Sequence, residues 1–292
     1  MKWEGQRESD NVEDARESSG GGLGGMIGGR GLSLGGVAIA LILSWVTGVN
    51  PLTMLGLVQG GGQTQVQQSA PPAPGRNAQD PGARFVKTVL ASTEDVWTAY
   101  FSQHGQQQYS APHLVLFRGQ YPTGCGTGDA AAGPFYCPAD QKVYIDLSFY
   151  DVLRDRLGAP GEFAQAYVVA HEVGHHIQNL MGTSAKLDRA RGRVSEAQYN
   201  ALSVRLELQA DCYAGIWASQ VGQRFELSQA DIDSALNAAS QIGDDTLQRK
   251  ARGTVVPESF THGTSAQRVR WFKQGMQGGN LRNCDTFNAK DL

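Results

Sequence analysis

The sequence predicts an α+β fold, mostly helical with few strands, in the part of the chain after residue 79. Two observations carry this. Apolar residues recur at helical spacing through several long stretches, whereas only two short runs, 113–117 and 142–149, are rich in β-forming residues. The composition also breaks along the chain, because glycine, 37 of 292 residues, concentrates toward the start.

Residues 1–31 carry charges of both signs and glycine runs without apolar periodicity, the pattern of a disordered tail. From 31 to 75 there is no Asp, Glu, Lys or Arg, and 32–58 is apolar over a length that can span about 30 Å of hydrocarbon. One transmembrane helix is the expectation. A cleaved signal peptide would lie nearer the terminus and precede a small-residue cleavage site, and a core helix would show a polar stripe. Lys2, Arg7, Arg16 and Arg30 precede the span and the next basic residue is Arg76. That bias orients the amino terminus to the cytoplasm and the domain to the periplasmic or extracellular side. Residues 59–79, rich in Gly, Gln and Pro, read as a flexible linker, and the domain occupies 80–292.

Within the domain, 83–103 places Phe85, Val89, Val96, Trp97 and Tyr100 at mostly helical spacing, with a break expected near Ser92. Beyond the two strand candidates, helices are predicted over 161–180 and 195–221, the second with Ser195 as N-cap. Another begins at Ser228, where S-Q-A-D follows the capping pattern with Asp in place of Glu, and ends near Ile242. The last covers 265–276.

A formal net charge of −3 leaves no basic surplus for a phosphate backbone, so nucleic acid is not an expected partner. The four cysteines lack the C-x-x-C spacing of a zinc ribbon. Outside a reducing cytosol they pair as two disulfides, Cys125 with Cys137 across a short Gly-rich loop and Cys212 with Cys284; the alternative is four buried thiols.

Residues 170–176 read AHEVGHH, which on a helix stacks His171 and His175 on one face, four residues apart. Two imidazoles at that spacing can grip one zinc ion. Glu172, at the edge of the face, can reach a water as general base without ligating. The apolar lead-in FAQAYVVA would bury this helix, and burying such groups without a partner is costly. Gly174 inside the helix suggests close approach of another backbone, and His176 points elsewhere. Zinc needs a third protein ligand, which 207–215, ELQADCYAG, supplies: Glu207 and Asp211 are again four apart, with Ala210 permitting close helix packing. Glu207 is assigned to the metal and Asp211 to the free N–H of His171, fixing its tautomer. One Zn2+ per chain is expected. A third histidine at H-x-x-G-x-x-H spacing is absent, since HIQNLMG follows.

AHEVGHHIQNL followed by ELQADCYAGIW resembles the gluzincins, the superfamily of thermolysin, and is most similar to a bacterial neutral zinc metallopeptidase family of single-span membrane proteins. MKWEGQRESDNVEDAR and THGTSAQRVRWF fit that family too. The resemblance implies a gluzincin-like domain with a small mixed sheet, an active-site helix and a ligand helix, and peptide hydrolysis of a peptide or protein substrate. It implies further roles. THGTSAQR at 261–268 is similar to a T-H-P-x-x-x-x-R segment, departing from it at Gly263; His262 would then stabilise the oxyanion and Arg268 would brace the site through Asp211. Val143, Tyr144, Ile145 and Asp146 would form the edge strand that aligns substrate by backbone pairing. The alternative function is a membrane-tethered, zinc-containing binding protein without turnover. Substrate specificity and oligomeric state are not legible in the sequence.

Overall fold

In the computed structural model, which describes residues 1–17, 80–104 and 108–292, side-chain alternation builds the sheet. The strands are β1 (Val12–Asp14), β2 (His113–Leu116), β3 (Gln120–Thr123), β4 (Gly126–Asp129), β5 (Phe135–Cys137) and β6 (Lys142–Ile145). Leu114, Leu116, Val143 and Ile145 face the main core, while Val115, Phe117 and Tyr144 face a smaller cluster on the other side. Four strands form a mixed sheet in the order β1-β2-β6-β5, parallel except for β5 against β6; β3 and β4 pair as a separate hairpin.

The helices are α1 (Pro81–Gln103), α2 (Ser148–Asp155), α3 (Glu162–Leu180), α4 (Ser184–Ala190), α5 (Glu196–Val221), α6 (Gln229–Gln241), α7 (Asp244–Arg252) and α8 (Ser265–Gly278). The fold is thus mostly helical with a small mixed sheet. Ser195 and Ser228 close capping boxes with Gln198 and Asp231, which starts α5 and α6 where the sequence places them. Helix α3 packs between α1, α5 and α6, and α8 lies along α5. Both expected disulfides are formed, Cys125–Cys137 and Cys212–Cys284.

Helix α1 shows no break at Ser92. The Ser92 and Thr93 hydroxyls donate to the carbonyls of Val89 and Leu90, so they are satisfied inside the helix. Ser92 Oγ also accepts from Trp217 Nε1 at 3.0 Å, and Trp217 stacks on Phe163, which ties α1, α5 and α3 together. The second strand candidate stops at Ile145, because Asp146 accepts from the Ser148 amide and turns the chain into α2.

The opening segment corrects an expectation. Residues 1–17, read as part of a disordered tail, are folded onto the domain: β1 extends the sheet, Trp3 is buried against Phe85, and Arg7, Glu8 and Arg16 make ion pairs with Glu94, Arg84 and Asp80. Their charges have partners more than sixty residues away, which local pattern does not reveal. The expected span at 32–58 and linker at 59–79 lie outside the described residues. Among the described residues no helix is long and apolar enough to cross a membrane.

Candidate metal centre

The site forms where α3 meets α5. A Cβ on Gly174 would come within 3.0 Å of the Ala210 carbonyl oxygen and 3.3 Å of its Cβ, so the missing side chain lets the two helices touch. That approach brings His171 and His175 opposite Glu207. One ligand atom from each of the three lies within 4.8 Å of the others. The arrangement can enclose a single small cation.

Neighbouring groups fix how each imidazole points. His171 Nδ1 is 2.9 Å from Asp211 Oδ1, an acceptor only, so this nitrogen carries the proton and Nε2 faces Glu207 at 3.2 Å. His175 Nδ1 is likewise 2.9 Å from Gln178 Oε1, which turns its Nε2 toward Glu207. Gln178 is held in turn by donating to the Leu206 carbonyl and to Gln209. Gln178 was not singled out from the sequence, although it sits three residues after His175, on the same helix face.

Asp211 is fully buried and accepts from His171, from the Tyr167 hydroxyl at 2.5 Å and from Arg268 at 2.8 and 2.9 Å. Burial alone would push its carboxyl up, but Arg268 and His171 outweigh burial and hold it down to about 2. Arg268, also buried, donates to the Tyr167 oxygen as well. Burial opposes charge on both histidines, yet Asp211 for His171 and Glu207 for His175 more than offset it and raise both, His171 to about 10. The donor set thus favours positive charge, which a divalent cation supplies without protons, and neutral imidazole nitrogens with a carboxylate suit zinc.

Glu172 is buried and lines the same cavity of about 420 Å³ as the three candidate ligands. Burial raises its carboxyl above the ordinary range. His262 lines this cavity too, and its Nδ1 lies 3.2 Å from Asp244 Oδ1. The other Asp244 oxygen accepts from the amides of Thr261, His262 and Gly263, at 2.8, 2.6 and 2.9 Å. Gly263 has φ of 91°, a conformation and an N–H donor that proline cannot supply, which accounts for glycine at this position. Burial lowers the His262 imidazole, but Asp244 outweighs it and the net shift is upward. Asp244 is the organising residue that sequence reasoning missed; the only local sign was an acidic pair after Gly243 at a helix start.

The expected edge strand is a correction. Val143, Tyr144 and Ile145 belong to β6, which has β2 on one side and β5 on the other, so no edge is left for a peptide. Asp146 is occupied with the amides of Gly119 and Ser148. The terminal strand beside the cavity is β5, and Phe135 and Tyr136 line its wall. His176, read as pointing away, does so: its ring sits between the Ser110 carbonyl and the Tyr136 hydroxyl, joining α3 to β5. Segment 182–193 contributes Ser184, Leu187, Asp188 and Arg191 to the cavity from α4 and its end.

Residues 1–287 match the family described as "Putative neutral zinc metallopeptidase". The Escherichia coli K12 protein titled "Uncharacterized protein YpfJ" is 50% identical over 287 residues, covering 98% of this chain and 99% of the relative. Two mycobacterial proteins, Mb2605 of Mycobacterium bovis and Rv2575 of Mycobacterium tuberculosis, are each 48% identical over 195 residues, 63% of this chain and 65% of theirs. No solved structure matches the chain. With a match that runs through both histidines, Glu207 and the folded opening segment, the chain belongs to the "Putative neutral zinc metallopeptidase" family.

Proposed function

We propose that the chain is a membrane-attached zinc endopeptidase in which His171, His175 and Glu207 hold one zinc ion and Glu172 is the general base. The observation that carries this is the convergence of the three ligand atoms within 4.8 Å, on the wall of a cavity that Glu172 also lines. Zinc bound there would supply Lewis acidity, polarising a scissile carbonyl and lowering the pKa of water to about 7. Glu172 takes the proton of the attacking water and passes it to the leaving amine. His262, whose Nδ1 lies against Asp244 with the imidazole shifted upward, would donate its outward N–H to negative charge developing on the carbonyl oxygen. Asp211, with Arg268 behind it, holds the His171 ring in place.

A peptide would add by backbone pairing to the edge of β5 that has no partner strand among the described residues, beside Tyr136 on the cavity wall. The alternative, a zinc site that only braces a binding domain, calls for four protein ligands and no base. The metal-capable group among the described residues has three. The apolar, uncharged run at 32–58 supports attachment to a membrane. Metal analysis of the purified full-length chain tests the proposal. About one zinc per chain is expected, lost in His171→Ala and in Glu207→Ala; a wild-type chain that takes up no zinc refutes it.

A further inference from the structure

The apolar run at 32–58 joins two segments that the structure places in one sheet. Residue 17 is the last described residue before it and Asp80 the first after it. The chain leaves and returns at a single point, because the Arg16 guanidinium pairs with both Asp14 and Asp80, and Asp80 is the N-cap of α1. Arg16 is only 6% exposed.

The opening segment is bound along its length. Val12, Glu13 and Asp14 pair in parallel with Leu114, Val115 and Leu116, and the ladder is flanked by Leu114 N–H to Asn11 O and Ala15 N–H to Leu116 O, both 2.8 Å. Trp3 lies edge-on to Phe85 at 5.4 Å, and its Nε1 donates to Glu162 of α3 at 2.9 Å. Ser9 Oγ and Asn11 Nδ2 both donate to the buried Glu94, which Arg7 also contacts. Without these residues β2 would present an open edge and Glu94 would lose its donors.

A single transmembrane crossing at 32–58 would put residues 1–17 and 80–292 on opposite faces of about 30 Å of hydrocarbon. Main-chain hydrogen bonds of 2.8 Å cannot be made across it. A helical crossing takes about 20 apolar residues, so 32–58 is long enough for one and too short for two.

We infer that residues 1–17 are an integral part of the peptidase domain and share its compartment. This is independent of the reading of the metal site. All four native cysteines are paired in the structure, and the chain without an added cysteine is labelled in parallel to give the background of each condition. Glu4→Cys and Lys290→Cys, both at exposed positions, are made singly in the full-length chain. Cells expressing each are treated with a membrane-impermeant maleimide, intact and after permeabilisation. The two variants are expected to label alike, both before permeabilisation or both only after it. Labelling of one in intact cells and of the other only after permeabilisation overturns the inference. Trp3→Ala in the full-length chain gives a second reading: a fall in melting temperature of at least about 5 °C is expected, and an unchanged melting temperature overturns it.

Discussion

Asp211→Asn keeps the shape of the side chain and removes its charge, at the point where two helices and the candidate metal site meet. The carboxylate accepts from His171, Tyr167 and twice from Arg268, all buried, so an amide nitrogen in either position faces a donor. The fall of the carboxyl from its ordinary 3.8 to about 2 corresponds to about 2–3 kcal/mol of preference for the ionised form. Because the folded value is depressed, this contribution is complete above the ordinary value and is lost as pH falls through about 2; an assay at pH 7 sees all of it. Stranding the Arg268 charge by removing its partner costs about 3–5 kcal/mol. The ranges meet near a loss of about 3 kcal/mol, measured by denaturant unfolding of the metal-free chain. His171 also loses its anchor, so zinc affinity, read by competition with a chelating indicator, falls about 10- to 100-fold. Stability within about 0.5 kcal/mol of wild type together with unchanged zinc affinity would refute the reasoning.

Gly174→Ala forces α3 away from the Ala210 backbone and costs about 1–3 kcal/mol; unfolding and zinc titration together check that the loss reaches the metal site. Asp244→Asn removes the charge that raises the His262 imidazole, so its pKa falls, and kcat/KM on the alkaline side drops at lower pH than in wild type. An unmoved alkaline limb would count against a protonated His262. Cys212→Ser with Cys284→Ser opens a link between α5 and the chain end, lowering stability by about 2–5 kcal/mol in a melt under oxidising conditions.

The parts of the site that were legible in sequence are those set by helical geometry. His171 with His175, and Glu207 with Asp211, are four residues apart, so each pair shares a face whatever the rest of the chain does. Ser195 and Ser228 marked their helices because a capping box is a local event. What escaped depends on partners distant in sequence. Asp244 organises amides some eighteen residues on, and nothing near it announces that. The edge strand was misplaced because the resemblance to the family put it at 143–146, whereas sheet position is decided by which neighbours pair; the short FYC run at β5 takes the edge. Val12–Asp14 carries one apolar residue in three, too little for a strand signal, and its order comes from β2 and from ion pairs across the domain.

The central claim, that this cavity hydrolyses peptides through Glu172, is tested most directly by digesting a diverse peptide library with the zinc-loaded, full-length chain beside Glu172→Gln. The wild-type chain is expected to cleave internal peptide bonds, while Glu172→Gln keeps its zinc and loses turnover by at least about a hundredfold. Cleavage by Glu172→Gln at a rate close to wild type would contradict the account.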